Sequence, residues 1–246
     1  MSGIRHVPVA PTETRHLSAG DEVTPHRHDD HQLICASSGV LEVIVADGTW
    51  YTPSVRAVWV PGGTIHHWQV HGATTVHLVG VPAGLMPPAG HVPSLVPVSP
   101  LVRELMIACS RNGPATTPAA RRLLRVLVDH VEPAPEPPTM LPVLRDPRLR
   151  DVQAVIEADL TTSPALAALG RRVGASERTL SRLFHDEVGM SFAVWRHQLR
   201  LHRAVLMLAR GDTVTRVAAA CGYSSASAFI TAFRAAFGRT PGALYR

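Results

Sequence analysis

The spacing of apolar residues changes along this chain. In the first eighty residues they come as short runs rich in Val, Ile and Trp, at 32–35, 40–45, 55–60, 65–70 and 75–81. Ser37-Ser38-Gly39, Asp47-Gly48, Pro61-Gly62-Gly63 and His71-Gly72 punctuate those runs. Short β-branched runs between turn residues predict strands, and Asp-Gly between two of them favours a tight hairpin. Several such strands in succession predict a small barrel or sandwich. Residues 82–100 are rich in Pro and Gly and predict an irregular strap.

Beyond residue 100 the apolar period becomes helical. Leu101, Leu105 and Ala108 share a face of the stretch 101–110, and Leu123, Leu124, Leu127 and Val131 recur at helical spacing within 119–131. Residues 133–138 hold four prolines in six positions, which neither a helix nor a sheet interior accepts. They predict a stiff linker and the best domain boundary. After Pro147 the pattern is almost entirely helical and weakly repeated. Leu166, Leu169, Gly170 and Gly174 return 48 residues later as Val214, Val217, Ala218 and Gly222, and Leu180 and Phe184 return 49 residues later as Phe229 and Phe233. Each copy predicts a short helix, a turn with Gly and a second helix, with a small residue (Gly170 or Ala218) where the helices cross. That is the layout of a helix-turn-helix.

The second helix of each copy has two faces. In the first copy Ser176 is a good N-cap for a helix to about Glu187. Leu180, Leu183 and Phe184 make its buried stripe, and Arg178, Ser181 and Arg182 lie on another face. In the second copy the helix runs from near Ser225 to Gly238. Phe229, Phe233 and Phe237 point inward, and Ser227, Thr231 and Arg234 lie elsewhere on the surface. Arginine and hydroxyl side chains on such a face donate to guanine edges and phosphates. A helix over about 191–209, with Phe192, Trp195, Leu199 and Leu206 inward, joins the copies. At 1.5 Å per residue it spans roughly 27 Å, near one turn of B-DNA, so both helices could enter successive major grooves on one side of a duplex. The competing reading is an all-α domain whose arginines are only solvated.

Charge favours the first of these. All 24 basic residues are Arg; residues 1–140 hold 9 Arg against 11 Asp and Glu, a net of −2, and residues 141–246 hold 15 against 8, a net of +7. A bias toward Arg explains the lack of Lys but not the asymmetry, which suits only the second half to a polyanion. No run of 18 apolar residues is present, so no membrane span is expected, and the first twenty residues lack the apolar core of a secretory signal. Cys35, Cys109 and Cys221 are distant and odd in number, which argues for buried thiols in a reducing compartment.

The first half carries its own chemistry. His26 and His28 alternate onto one face of a strand, Gln32 keeps that parity if the strand is unbroken, and His66 follows Pro61-Gly62-Gly63. Three imidazoles and an amide oxygen suit Zn²⁺, Ni²⁺, Mn²⁺ or Fe²⁺, and imidazole does not choose among them. A carboxylate in place of Gln32 would bind hard ions better. His31, His67, His71 and His77 read as surface residues.

Two resemblances follow from these residues. The segment Phe233 to Arg246, with Gly238, Thr240-Pro241 and Tyr245, and the segment Ala218 to Ser225 before it, resemble the closing signature of the AraC/XylS family. Ser176 to Phe184 is similar to that family's first recognition helix and Gly189 to Phe192 to its following turn. The resemblance implies sequence-specific binding of double-stranded DNA by a bihelical domain, usually in a dimer, in the bacterial cytoplasm. It puts base contacts on Arg178, Ser181 and Arg182, and on Ser227 and Thr231, with Ser176, Ser225 and Arg234 beside them. The second recognition helix is poor in long polar side chains and suits phosphate contact more than base readout.

Gly20, His26, His28, Gln32 and Gly39 follow the spacing of the first cupin motif with Gln for its usual Glu, and Pro61, Gly63 and His66 follow the core of the second. In metal-binding cupins the corresponding side chains hold a divalent ion inside the barrel. Related sensor barrels use that space for an organic ligand instead, and Trp59 or Trp68 would then line it. Cys35 to Leu41 and Arg56 to Pro61 look like a subgroup of AraC-type regulators with cupin sensors, some linked to drug resistance or efflux. The expected architecture is α+β and multidomain: a cupin-like barrel over 1–98, a helical linker or dimerisation segment over 99–139 and two helix-turn-helix units over 140–246. Leu105, Leu123, Leu124 and Leu127 are candidates for a homodimer seam or, equally, for a cap on the barrel's own core. The expected activity is DNA-binding regulation by a metal or small-molecule effector. A metal-dependent cupin enzyme with a helical appendage is the rival; an architectural DNA binder without a sensor would lack an accessible cavity.

Overall fold

The computed structural model describes residues 4–133 and 140–244; most of the predicted proline-rich linker lies outside them. The chain divides into two compact units.

The first unit holds the strands. β1 (Arg5–His6), β3 (Glu22–Arg27), β8 (His66–His71), β5 (Val40–Val45) and β6 (Gly48–Pro53) lie side by side in that order in one sheet. β10 (Ser94–Pro97), β7 (Arg56–Val60), β4 (His31–Ala36), β9 (Thr74–Val81) and β2 (Glu13–Leu17) form the other. Among the described residues the ladders thus make two sheets and not one closed barrel. All five apolar runs are strands. The strap at 82–100 is not wholly irregular: Ser94–Pro97 pairs antiparallel with β7 and buries Leu95 and Val96.

Every residue of β4 is buried, because its sheet is covered on both faces. Leu33 and Cys35 join Ala57, Trp59, Val79 and Val81 in a core. The intervening positions Gln32 and Leu78 line a cavity on the opposite face. The core side is closed by α1 (Pro100–Asn112) and α2 (Pro118–Asp129). Both begin the same way: Ser99 and Thr117 accept hydrogen bonds from the amides of Val102 and Ala120, and each is followed by Pro, whose missing N–H costs nothing at a first helical position. The buried face of α1 is Val102, Leu105, Met106 and Cys109, and Leu101 is exposed. The apolar stripe therefore sits one position away from the one that Leu101 suggested. Leu105, Leu124 and Leu127 are buried in this unit's own core, and the partly exposed Leu123 packs against it, so they cap the sheet.

The second unit is helical apart from β11 (Met140–Pro142). It comprises α3 (Pro147–Ala158), α4 (Leu166–Val173), α5 (Glu177–Val188), α6 (Phe192–Ala209), α7 (Val214–Ala220), α8 (Ala226–Phe237) and α9 (Pro241–Leu244). Ser176, Ser191, Thr213 and Ser225 start α5, α6, α7 and α8 by accepting the amides of Thr179, Val194, Arg216 and Ala228. Leu180, Phe184, Trp195 and Leu199 lie in one core with Leu149, Val152 and Ile156 of α3. Phe229, Phe233 and Phe237 pack successively along α8, the first pair edge-to-face and the second tilted, with ring centroids 5.5 and 4.5 Å apart.

Close approach sets where small residues stand. A Cβ on Gly170 would fall on the Ala175 carbonyl oxygen. Gly222 has φ +71 and lies against the Leu160 carbonyl and Arg200. Arg200 belongs to α6 and donates from Nη2 to the carbonyls of Leu160 and Thr162, each at 2.8 Å, tying the central helix to the loop before α4. Gly170→Ala is therefore expected to cost about 1–3 kcal/mol, as overpacking at a closed contact does. Urea unfolding of the purified chain measures it; unchanged stability would show that the two helices of the first copy do not approach so closely.

Candidate ligand cavity and nucleic-acid interface

Three imidazoles converge between the two sheets. His26 and His66 are opposite each other in the β3–β8 ladder, after a register shift that follows Val23, and His28 lies just past the end of β3. Their ring centroids are 4.4 Å apart for His26 and His66, 4.8 Å for His28 and His66, and 5.2 Å for His26 and His28. One ring nitrogen from each falls within 4.8 Å of the others. Gln32 reaches the cluster from β4 in the other sheet, placing its Oε1 3.3 Å from His66 Nε2. All four are almost wholly buried, His66 at 0 % and His26 at 4 % exposure.

The glycines of the Pro61-Gly62-Gly63 turn hold these loops together. Gly63, at φ +81, donates its amide to the His28 carbonyl at 2.7 Å, and Gly62 lies so close to the Asp29 carbonyl that a Cβ would overlap it. Its own amide donates to His31 Nδ1 at 2.8 Å. The turn thus fixes His28 and His66 relative to each other.

Hydrogen bonds also fix the tautomers. A carbonyl can only accept, so the Nδ1–H of His26 donates to Thr24 O at 2.8 Å, that of His66 to Thr64 O at 3.0 Å and that of His28 to Asp30 O at 3.4 Å. Each neutral ring then presents an Nε2 lone pair. The lone pair of His28 Nε2 is buried without a hydrogen-bond partner, and that of His66 faces the amide oxygen of Gln32. Burial keeps the rings neutral: it pushes His66 down to about 3 and His28 down to about 4, and lowers His26 from its ordinary value as well. Three buried acceptor nitrogens within 4.8 Å of one another make a donor set that could hold a cation.

A cavity of about 140 Å³ adjoins the cluster, with His26, Gln32, Trp68 and Leu78 in its walls. Trp68 lies where the sequence places a ligand-lining residue. Trp59 does not; its indole N–H donates to Gly90 O at 2.8 Å within the core under α1 and α2. The parity of β7 decides this, since Trp59 pairs with Leu33 and shares its face. His31 and His77, read from the sequence as surface residues, are buried. His77 pairs with Ser110 of α1 at 2.9 Å and Thr14 of β2 at 3.1 Å. All three cysteines are buried and free, and burial raises Cys35 to about 12 and Cys109 and Cys221 to about 11, so none is a reactive thiolate at neutral pH.

In the helical unit α4 with α5 and α7 with α8 form two helix-turn-helix pairs. Ser176, Arg178, Ser181 and Arg182 are exposed on or at the start of α5, and Ser225, Ser227, Thr231 and Arg234 on or at the start of α8. Arg178 and Arg182 are one helical turn apart, and among the described residues neither they nor Arg234 has a carboxylate partner. By contrast Arg148, Arg203 and Arg216 are held by Asp146, Glu157 and Asp212 at 2.7, 2.7 and 3.2 Å. Ser176 and Ser225 also cap their helices, which fixes their hydroxyls at the two N-termini.

Comparison with known proteins matches this arrangement. Residues 14–151 fit the model of the AraC-like ligand binding domain and residues 169–246 that of a helix-turn-helix domain. The HTH-type transcriptional regulator NimR of Escherichia coli K12 is 35 % identical over 242 residues, covering 97 % of this chain and 88 % of that protein. The chain belongs to the AraC-type family of transcriptional regulators. GlxA of Rhizobium meliloti, another HTH-type transcriptional regulator, is 33 % identical over 99 residues, covering 40 % of this chain and 29 % of GlxA. Among solved structures ToxT from Vibrio cholerae covers 96 % of this chain and 97 % of its own, at 11 % identity and a TM-score of 0.41. As an AraC-type regulator the protein binds DNA through its helix-turn-helix domain and carries a ligand-binding domain before it. Among the described residues no helix is long and apolar enough to cross a membrane.

The neutral imidazoles make stability depend on pH. Their folded-state values lie below the ordinary 6.5, so the unfolded chain takes up protons first as pH falls. Their contribution is complete above about pH 6.5 and drains away toward pH 4 and 3. Chemical denaturation of chelator-treated protein between pH 7 and 4.5 should show that slope, and His66→Gln should flatten it. An equal slope in the variant would show that His66 is not a buried neutral imidazole.

Proposed function

We propose that this regulator switches DNA occupancy in response to a divalent metal ion or a small-molecule effector held between the two sheets. The observation that carries the metal reading is the set of Nε2 lone pairs on His26, His28 and His66, each backed by an Nδ1–H fixed on a carbonyl. Those three nitrogens and Gln32 Oε1 would be the ligands. Zn²⁺, Ni²⁺, Mn²⁺ and Fe²⁺ all accept imidazole, and the neutral amide makes the site weaker for hard ions than a carboxylate would. In this reading the metal sets conformation and supports no turnover, so the protein is not an enzyme.

On the DNA side Arg178, Ser181 and Arg182 of α5 read bases in one major groove. Ser227, Thr231 and Arg234 of α8 approach the next, chiefly at phosphates, with Ser176 and Ser225 at the helix starts. Exposed arginines without carboxylate partners support this reading. Residues 1–98 act as the sensor, 99–139 as the relay and 140–246 as the DNA-binding domain, in a homodimer within the bacterial cytoplasm. The relay is favoured by the two faces of β4 and β9. Gln32 and Leu78 line the cavity, whereas their neighbours Leu33 and Val79 contact the core under α1 and α2. An occupant can shift the regulator only by binding one arrangement better than the other.

Two measurements test these assignments. Arg178→Ala and Arg182→Ala should each weaken binding to the protein's own upstream DNA by about 1–3 kcal/mol and relax preference at one base pair. Unchanged specific affinity would show that α5 is not the reading helix. In elemental analysis of the purified full-length chain, the His26→Ala, His66→Ala double variant should lose the bound metal. Full metal content in that variant would place the ion elsewhere.

A further inference from the structure

The cavity beside the histidine cluster has a charge that a metal site alone does not explain. Its lining reaches the edge strand β1 of one sheet and the edge strand β2 of the other, where Arg5 is exposed to solvent. Arg5 of β1 stands in register with His26, and Arg15 of β2 reaches the same cavity from the other sheet. Arg15 is paired with Glu13, whose carboxylate accepts from its Nε at 2.8 Å. Arg5 has no carboxylate partner among the described residues. Among the described residues no acidic side chain lines the cavity. Two guanidinium groups brought to one cavity from different sheets, that of Arg15 offset by Glu13 and that of Arg5 not, leave a net positive charge beside neutral imidazoles.

The rest of the wall is apolar. Val7, Val23, Trp68 and Leu78 line it, and Gln32 and His26 are the polar groups at its inner end. A cavity of about 140 Å³ is close to the size that accepts a single benzene ring. A guanidinium fork matches a carboxylate in two parallel hydrogen bonds, whereas a polyphosphate would need more donors and more room.

Building on the sensor reading above, we propose that the effector class is a small organic carboxylate of about benzoate size. Its carboxylate lies at the Arg5–Arg15 mouth and its apolar body lies against Trp68 and Leu78. The order of groups is set by the cavity: anion outside, apolar ring in the middle, polar end toward Gln32 and His26. Nothing in this assignment requires an ion on the histidines.

Titration calorimetry on the chelator-treated full-length chain tests it, with benzoate, neutral benzamide and cationic benzylamine as test ligands. Removing metal first prevents a carboxylate from binding through an ion. Benzoate should bind at least ten times more tightly than benzamide, and benzylamine not at all. Arg5→Gln should weaken benzoate tenfold or more while leaving benzamide unchanged, because Arg5 is an exposed side chain whose loss removes charge and no core packing. Arg15→Gln should weaken benzoate in the same direction. Equal binding of benzoate and benzamide, no binding of benzoate, or an Arg5→Gln variant that binds benzoate as well as the parent would each overturn the proposal. Specific DNA binding is measured on the same preparations. If it is intact while benzoate shows no preference, the carboxylate assignment falls and the regulator reading stands. If DNA binding is absent both in the chelator-treated protein and after a divalent metal is restored, the regulator reading has failed.

Discussion

One helix, α6, is the constraint on which the DNA-binding unit depends. Trp195, Gln198, Leu199, Leu201, His202, Ala204, Val205, Leu206 and Leu208 are all buried along it, on more than one face. A helix buried most of the way round cannot rotate or slide without exposing apolar surface on one side while crowding the other. It contributes Trp195 and Leu199 to the core of the first helix-turn-helix, and it packs against α7 of the second. Arg200 adds a polar tie to the loop before α4. Spacing and orientation of α5 and α8 are consequently properties of a single packed body and not of a flexible tether. The exposed arginines acquire meaning only from that rigidity, because two charged helices on a loose joint would give affinity without register.

The β-rich unit solves a different problem with the same economy. Its second sheet has no solvent face to spare: one side closes under α1 and α2, the other borders the cavity and the histidines. Alternate residues of one strand therefore report to different places. In the proposed relay, a shift of β4 or β9 by a fraction of an ångström would reach the helix-side core, since close-packed interiors transmit strain. His77, hydrogen-bonded to Ser110 and Thr14, ties the helix side of the same sheet to α1 and β2. The fixed tautomers of His26, His28 and His66 do the complementary work inside, holding acceptor lone pairs toward one point.

Much of this was legible in the sequence, and the exceptions share a cause. The helical unit was read almost completely, because its helices are amphipathic and its caps are explicit: Ser176, Ser191 and Ser225 all start helices as their positions suggest. Strand parity put His26 and His28 on one face, and the resemblance to the cupin motifs brought His66 to them. What failed was side assignment wherever both sides are buried. Trp59 and Trp68 look alike in sequence, yet Trp59 shares the face of Leu33 and Trp68 borders the cavity; no polar alternation marks which is which. Leu101 misled in the same manner, since α1 begins at Pro100 and its buried face starts at Val102. Strands β2 and β10 carry too few β-branched residues to stand out, and are strands because their neighbours pair with them. Arg200 escaped notice because the carbonyls it binds, of Leu160 and Thr162, are distant in sequence.

The central claim is that α6 holds two recognition helices against one side of a duplex. Hydroxyl-radical footprinting of the full-length protein on its own upstream DNA tests it most directly. The account predicts, for each bound monomer, two protected patches about 10 base pairs apart on the same face of the helix, the stronger being that of α5. A single patch, or two patches on opposite faces, would contradict it.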